Sequence, residues 1–227
     1  KGLLLLLRSG PKTWEEIKTS LAVTATGMLP QIKILAENHL VQQDGKRYRL
    51  TDRGEIVAAH LEPLIKTLNV LERLGAFWNE HDHSAIPPRL LARIGELGDI
   101  KIVEGNPEEI YEPHREFLDN ILRSRRLVGI APFVHPIYPE FFLRLAERGM
   151  EISLLLTEGA YSKIEKDYSD KLMRGLQYEN AHLYVFPDDI RLAFVVTDIF
   201  FSVSFFFRNG VFDPKRDIVS FDPSARA

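Results

Sequence analysis

Apolar residues recur at helical spacing through the first sixty positions, with polar residues between them. Trp14, Ile17 and Leu21 follow each other at i, i+3 and i+7 and therefore share one buried face. Thr13 and Glu16 stand at the spacing of a capping box, which marks the beginning of that helix. The pattern predicts the end of a helix over 3–7, helices over 14–21 and 25–38, strands over 40–43 and 46–50, and a helix over 52–60.

The order helix, helix, turn, helix and hairpin is typical of a winged helix-turn-helix domain. Asp44-Gly45 is a strong signal for a two-residue turn, and the strand that follows carries three basic residues in four positions. In such domains the third helix enters the major groove of DNA by its N-terminal end. The sequence therefore predicts a DNA-binding domain over 1–62, with a protein–protein module as the alternative.

The candidate DNA contacts lie on the third helix and on the hairpin. They are Thr24, Thr26, Gln31, Lys33, Lys46 and Arg47. Thr26 and Gln31 are expected at base edges, where the Gln amide pairs well with adenine. The other four are expected to hold phosphates, which the positive end of a helix also attracts. The alternative is that all six are ordinary polar surface residues.

A leucine stripe continues the helical pattern beyond residue 60. It is formed by Leu61, Leu64, Leu68, Leu71 and Trp78. Spacings of three, four and seven residues are those of a heptad seam, along which two helices pair. Winged-helix regulators commonly use two copies to read two half-sites. We therefore predict that the connecting segment over 63–98 pairs the chain into a homodimer; alternatively, the stripe packs against the chain's own second domain.

From residue 99 onward, apolar strands alternate with amphipathic helices. Strands are predicted over 100–104, 127–133, 151–156, 182–186, 192–197, 201–207 and 217–221, and helices over 112–124, 139–148 and 162–175. The first strands are apolar on both faces and separated by helices, which predicts a parallel arrangement, whereas the closely spaced later strands indicate antiparallel pairs. The fold class is therefore α/β, with an N-terminal winged helix and a mixed-sheet domain over 99–227.

Ligands of such sheets bind beyond the carboxyl ends of the parallel strands. This rule selects a set of candidate effector-binding residues, namely His135, Tyr138, Thr157, Glu158, Arg191 and Asp198. The alternative for each is a surface loop residue, or for His135 a ring that bonds a backbone carbonyl. We expect this domain to sense a small-molecule effector or a partner.

Charge refines the prediction for the first domain. The chain has 29 Lys and Arg against 32 Asp and Glu, a net charge of −3, which argues against a uniformly basic nucleic-acid coat protein. Residues 1–62 nevertheless hold nine basic and seven acidic residues, a local charge of +2, so the remainder carries −5. The basic residues of the hairpin are thus part of a weakly positive domain attached to an acidic one.

Composition and termini exclude several classes of protein. The chain has no cysteine, which excludes disulfides, thiolate metal sites and a Cys nucleophile and is compatible with a cytoplasmic location. The apolar run over 3–7 is far shorter than the about 18 residues of a membrane span. The first residue is Lys rather than Met, which indicates a fragment whose start is missing.

The sequence holds no motif whose spacing carries a catalytic mechanism. GxxxxGK[ST], GxGxxG, HExxH and GxSxG are all absent, and His81-Asp82-His83 offers too few ligands for a metal. We therefore predict a regulator that is not an enzyme and uses no metal or cofactor. A hydrolase or phosphodiesterase with an accessory winged helix, or a protein–protein scaffold, is the alternative.

The order of these motifs resembles a family of archaeal winged-helix transcriptional regulators from methanogens, whose C-terminal half is a methanogenesis-regulator middle domain. The resembling segments, which span nearly the whole chain, are VTATGMLPQIK at 23–33, FWNEHDHSAIP at 77–87, RIGELG at 93–98, HPIYPEFF at 135–142 and SFD at 220–222. The resemblance implies a DNA-binding repressor or activator that acts on double-stranded operator DNA. It also implies that family members continue past the SFD segment into a final helix.

The resemblance further implies that the effector domain is similar to the phospholipase D-like fold. The HxKxxxxD motif of phospholipases is nevertheless absent, because no Lys follows His114, His135 or His182 by two residues. Catalysis is therefore not implied for this chain.

Overall fold

The computed structural model describes residues 1–105 and 115–227. The chain forms two units, Lys1–Leu68 and Asn69–Ala227. The beginning of the helix predicted over 112–124, with His114, lies outside the described residues.

The first unit has the order of elements of a winged helix-turn-helix, as predicted. Its elements are α1 (Gly2–Leu7), β1 (Lys12–Thr13), α2 (Trp14–Leu21), α3 (Ala25–Glu37), β2 (Val41–Asp44), β3 (Arg47–Leu50) and the first part of α4 (Asp52–Glu80). The strands pair antiparallel in the order β1-β3-β2. The two-residue β1 was not predicted, because a strand this short leaves no periodic signal.

Side-chain caps fix where the helices of this unit begin. The backbone N–H of Thr13 donates to Oε2 of Glu16 over 2.6 Å, and the N–H of Glu16 donates to Oγ1 of Thr13 over 3.3 Å. These two bonds are the predicted capping box of α2. Thr24 caps α3 by accepting the N–H of Gly27. The helices thus bring Ile17 into a core of buried leucines and isoleucines.

The turn of the wing, the hairpin formed by β2 and β3, lies one residue later than predicted. Asp44 pairs with Arg47 in the β2–β3 ladder, so the two turn residues are Gly45 and Lys46 rather than Asp44 and Gly45. Gly45 has a φ of 58°, a value that favours glycine. The side chain of Lys46 therefore lies at the tip of the wing.

The second unit contains the remainder of α4 and a layered α/β arrangement. Its other elements are α5 (Pro88–Leu91), β4 (Ile100–Glu104), α6 (Arg115–Arg123), β5 (Arg126–Ala131), α7 (Tyr138–Glu147), β6 (Glu151–Thr157), α8 (Glu158–Asp167), α9 (Ser169–Gly175), β7 (Ala181–Phe186), β8 (Leu192–Thr197), β9 (Phe201–Phe206) and β10 (Phe212–Ser220). Short 3₁₀ turns cover Ile94–Leu97 and Pro223–Arg226.

The strands of this unit form a mixed sheet, as predicted for the α/β domain. Among the described residues they pair in the order β4-β10-β9-β8-β5-β6-β7. The parallel pairs are β5–β6 and β6–β7, and the other pairs are antiparallel. Two strands differ from the prediction: β4 pairs antiparallel with β10 at the edge, and β7 runs parallel to β6 because α8 and α9 carry the chain back between them.

Apolar side chains cover both faces of the sheet. On one face, Ile121 of α6 and Leu145 of α7 pack with Leu154 of β6. On the other, Val70 and Leu74 of α4 belong to a separate cluster with residues of β8, β9 and β10. In the described ranges, no helix is both long enough and apolar enough to cross a membrane.

A glycine interrupts α4 inside the second unit. Gly75 has φ 48° and ψ −128°, a conformation that other residues adopt only under strain. We expect Gly75→Ala to lower the free energy of unfolding by about 1–3 kcal/mol, measured by urea denaturation. Gly159→Ala in α8 is the control, since its added Cβ meets no atom within 4 Å and its φ is not positive. Equal stability of Gly75→Ala and wild type would contradict the prediction.

Candidate functional site

The third helix of the winged domain presents polar side chains on two different sides. Thr24, Thr26, Gln31 and Lys33 are all exposed. At about 100° per residue, Thr26 and Lys33 lie within about 20° of each other around α3, whereas Gln31 lies about 140° from Thr26. Thr26 and Lys33 therefore share the centre of the exposed face, and Gln31 lies on its flank.

The two basic residues predicted at the wing have different surroundings. Lys46 is exposed at the turn, and no ion pair within 4.0 Å involves it in the described part of the chain. Arg47 instead donates from Nη1 to the carbonyl oxygen of Pro11 over 3.1 Å, and the same atom lies 3.9 Å from Oε2 of Glu16. Arg47 thus ties β3 to the segment before α2, and Lys46 is the better placed of the two to meet a phosphate.

The leucine stripe divides into buried and exposed members. Leu61 packs against the core of the first unit, and Trp78 packs within the second unit, where it stacks on His83. Leu64 and Leu68 are 53% and 51% exposed. These two side chains, about 40° apart around α4, form the exposed part of the stripe.

A cavity of about 420 Å³ lies on one face of the sheet in the second unit, beneath α6 and α7. It adjoins the carboxyl end of β5, where Ala131 is followed by the loop to α7. His135 from this loop and Tyr138 from the first turn of α7 line it. These are two of the six candidate effector-binding residues that the sequence selected.

The polar groups of the cavity are held by hydrogen bonds. The hydroxyl of Ser204 on β9 donates to the Asp217 carboxylate on β10. Burial, with a smaller contribution from the negative charge of Asp217, raises the pKa of Tyr138 to about 12. The phenol therefore stays protonated at neutral pH. Nδ1 of His135 lies 3.3 Å from the backbone nitrogen of Ile137 and accepts its N–H.

Thr157 and Glu158 lie outside the residues that line the cavity. Thr157 is buried and caps α8: Oγ1 accepts the N–H of Ala160 and donates to the carbonyl oxygen of Pro132 over 3.1 Å. Glu158 begins α8 and is exposed. Thr157 thus supports the loop that follows β5 without contacting the cavity.

Arg191 forms an ion pair away from the cavity lining. Its Nη1 lies 3.5 Å from Oδ2 of Asp82. Hydrogen bonds from Ser84, followed by the charge of Arg191, hold the pKa of Asp82 below its ordinary value. Arg191 therefore binds a carboxylate of this chain rather than joining His135 and Tyr138.

Asp198 lies at the opposite end of the strands, near the beginning of β5. Because β8 runs antiparallel to β5, its last residue Thr197 pairs with Leu127 near the beginning of β5. The Asp198 carboxylate accepts the backbone N–H of Arg125 over 2.9 Å and that of Arg126. Burial alone would raise the pKa of this carboxyl, but these two N–H donors outweigh it and the pKa is lowered. The structure does not bring Asp198 to the predicted site.

Three polar residues of the cavity were not selected from the sequence. They are Ser202, Ser204 and Asp217. The two serines alternate with Val203 and Phe205 along β9, so they face the cavity while the apolar residues face the core on the other side. This alternation is a readable signal, whereas the position of Asp217 opposite Ser204 depends on the pairing of β10 with β9.

His81 is fixed in a buried network outside the cavity. Its Nδ1 lies 2.7 Å from the carbonyl oxygen of Phe77, and its Nε2 lies 3.0 Å from Oδ2 of Asp213. Nε of Arg216 donates to the same Asp213 oxygen over 2.9 Å. Both ring nitrogens are thus engaged within the chain. Across 1–105 and 115–227, no three His, Asp or Glu side chains converge as metal ligands.

Comparison with protein families follows the division into two units. A model of the N-terminal domain of methanogenesis regulatory protein FilR1 matches residues 2–69, and a model of its middle domain matches residues 110–227. The chain belongs to the FilR1 family of methanogenesis regulatory proteins. The resemblance read from the sequence is confirmed.

A curated relative shares both parts of this architecture. FilR1 of Methanothrix harundinacea (strain 6Ac), described as a methanogenesis regulatory protein, is 28% identical over 229 residues. The match covers 99% of this chain and 51% of that protein. The chain therefore spans about half the length of this FilR1 relative.

Two solved structures resemble the chain distantly. TrmBL2, an archaeal chromatin protein whose structure is described as showing a novel mode of DNA binding, aligns over 96% of this chain and 84% of that chain, with 13% identity and a TM-score of 0.43. An O-methyltransferase family protein from Burkholderia thailandensis aligns over 82% and 57%, with 13% identity and a TM-score of 0.28. At these TM-scores neither likeness establishes a shared fold with this FilR1 family member.

Proposed function

We propose that the chain is a cytoplasmic, DNA-binding transcriptional regulator. Residues 1–62 bind double-stranded operator DNA, residues 63–98 connect and pair two copies, and residues 99–227 bind a small-molecule effector. The observation that carries this proposal is the winged helix of the first unit, which exposes Thr26 and Lys33 on α3 and Lys46 at the wing tip. Membership of a family of regulatory proteins supports it.

The DNA interface follows from the direction of α3. The N-terminal end of a recognition helix points into the major groove and carries the positive end of the helix dipole. Thr26 in the first turn is placed to contact base edges, and Lys33 is placed to neutralise a phosphate. Thr24 caps this end, so its contribution is to position the N–H groups that meet DNA. Gln31 on the flank reads a base beside those reached by Thr26.

The effector site is the cavity under α6 and α7. Its volume of about 420 Å³ suits a small organic molecule. A ligand that binds one conformation of this domain more tightly would shift the DNA affinity by the difference in its binding free energies. The relation to the phospholipase D-like fold belongs to the same proposal and concerns architecture without hydrolysis.

Fluorescence anisotropy on DNA tests this function. Duplexes selected from a random library by the full chain are titrated at several salt concentrations, and log Kd is plotted against log salt. We expect a clear salt slope, because phosphate contacts release counterions. Lys46→Ala should weaken all duplexes alike and reduce the slope by about one unit, whereas Gln31→Ala should change the preferred base at one position.

Lys166→Ala removes an exposed lysine of the second unit and is the matched control, which should leave Kd and slope unchanged. Absence of binding, or binding whose affinity does not depend on salt, would refute the proposed function.

A further inference from the structure

Three arginines of the second unit line an open groove at the end of the sheet where the parallel strands β5 and β6 begin. The groove has a volume of about 450 Å³. Arg126 is the first residue of β5, Arg125 precedes it, and Arg148 ends α7. The buried side chains of Leu145 and Met150 line the same groove. We call Arg125, Arg126 and Arg148 the arginine patch.

The guanidinium groups of the arginine patch are exposed and have no partner among the described residues. No carboxylate oxygen lies within 4.0 Å of them, and their side chains donate no hydrogen bond. Neighbouring arginines differ in this respect. Nε of Arg144 lies 2.9 Å from Oε1 of Glu140, and carboxylate oxygen Oε1 of Glu147 lies 2.8 Å from Nη2 of Arg174. This chain therefore neutralises those two arginines and leaves the charge of the patch facing solvent.

Backbone hydrogen bonds hold the segments that carry the patch. The N–H of Glu151 donates to the carbonyl oxygen of Arg125 over 3.0 Å, which joins the beginnings of β5 and β6. The carboxylate of Asp198 accepts the backbone N–H groups of Arg125 and Arg126. In the described part of the groove lining, the acidic residue is Glu151, so three positive charges face one negative charge. The groove is thus positive, although residues 63–227 together carry −5.

An exposed positive groove favours a ligand that carries many negative charges. A single ion pair at an exposed site contributes little, because water and salt screen it, so a small anion would gain little affinity here. A nucleic acid makes several contacts at once and releases condensed counterions at each phosphate that is neutralised. The planar guanidinium group also donates two parallel hydrogen bonds to phosphate oxygens. The groove therefore suits a phosphate backbone.

We propose that the arginine patch is a second DNA-binding surface, at which Arg125, Arg126 and Arg148 contact backbone phosphates of duplex DNA independently of base sequence. This inference rests on the proposed DNA-binding role and goes beyond it, because that role assigns DNA to residues 1–62 alone. Contacts to phosphates add affinity and carry no direct sequence information. The competing partner is an acidic surface of a second copy, which the experiment distinguishes.

Fluorescence anisotropy of the full chain on a duplex of about 40 base pairs, roughly four helical turns, tests the proposal. The variant Arg125→Ala, Arg126→Ala, Arg148→Ala should reduce the slope of log Kd against log salt by about two to three units, because each lost phosphate contact removes about 0.9. At about 0.1 M salt it should bind about 10²-fold more weakly. Replacement of the same three residues by Lys keeps their charges and should restore the slope to within about half a unit of wild type.

A control variant removes the same amount of charge elsewhere in the second unit. Arg89→Ala, Lys101→Ala, Lys166→Ala replaces three exposed basic residues that do not line the groove. Its slope should differ from that of wild type by less than about half a unit. An equal loss of slope in the control and in the patch variant would reveal a general effect of net charge and overturn the proposal. Thermal unfolding of each variant verifies that it is folded.

The outcomes separate this inference from the proposed function. A reduced slope for Lys46→Ala together with a wild-type slope for the patch variant would refute the patch alone. The reverse result would support the patch and refute the DNA contact at the wing. If the patch variant keeps its DNA affinity but changes its mass in sedimentation equilibrium, the patch meets a second copy of the chain and the proposal is wrong.

Discussion

Asp213→Ala is expected to lower the free energy of unfolding of the second unit by about 3–5 kcal/mol, because it removes one partner of a buried charged pair. Asp213 is 1% exposed, and one of its oxygens accepts from both His81 and Arg216. Both nitrogens of the His81 ring face oxygen atoms, the carbonyl oxygen of Phe77 at 2.7 Å and Oδ2 of Asp213 at 3.0 Å. Removal of the carboxylate leaves Nε2 of this ring and Nε of the Arg216 guanidinium without this oxygen, at a site where His81 is 1% exposed.

Tryptophan fluorescence during urea denaturation measures this effect. The chain has two tryptophans, and Trp14→Phe leaves Trp78 as a probe that packs within the second unit. Asp213→Asn should cost less than Asp213→Ala, since its oxygen still accepts one hydrogen bond. Asp188→Ala, at an exposed site, should stay within about 0.5 kcal/mol of the parent. A loss below about 1 kcal/mol for Asp213→Ala would show that the network contributes little stability.

Local signals made the winged domain predictable from sequence. The capping box of Thr13 and Glu16 marked the beginning of α2, and Thr24 marked that of α3. Both signals act within a few residues, so no tertiary information is needed. The hairpin was found but shifted by one residue, because the register depends on the pairing of Asp44 with Arg47 and not on the Asp-Gly dipeptide alone.

The order of the strands in the sheet could not be predicted from the sequence. Apolar runs located β4, β6 and β8 to within one residue, but nothing near Ile100–Glu104 shows that it pairs with the distant β10. This pairing crosses more than a hundred residues and is selected by packing of the whole sheet. Sequence spacing therefore predicted a mixed sheet without its order.

The residues of the candidate cavity were likewise predictable where local order decides their position and not where strand pairing decides it. His135 and Tyr138 follow a parallel strand, and the carboxyl-end rule found them. The rule failed for Asp198, because β8 runs antiparallel to β5 and its carboxyl end lies beside the beginning of β5. Asp217 was missed for the converse reason, since it reaches the cavity only through the β9–β10 register. Residues that depend on strand direction or register need the structure.

The double substitution Leu64→Asp, Leu68→Asp is expected to convert the proposed dimer into a monomer. The two leucines lie about 40° apart around α4 and are both about half exposed, so two copies of this helix can bury them against each other. Dimeric helix-turn-helix proteins bind two half-sites about 34 Å apart, so that their second contact is intramolecular. We expect the double variant to lose about 10²–10⁴-fold in affinity for a two-site duplex and to bind a single half-site as the wild type does.

Sedimentation equilibrium and anisotropy on both duplexes measure the two effects. Ile56→Asp is the matched control, because Ile56 is 63% exposed on the same helix. It lies about 80° around the helix from Leu64 and about 120° from Leu68, so it is not part of the stripe. It should keep both the mass and the two-site affinity of the wild type. If the double variant keeps the wild-type mass, the leucines do not form the dimer contact. A monomer that retains the two-site affinity would show instead that the copies pair on DNA through a different surface, because avidity needs a physical link between the two DNA-binding domains.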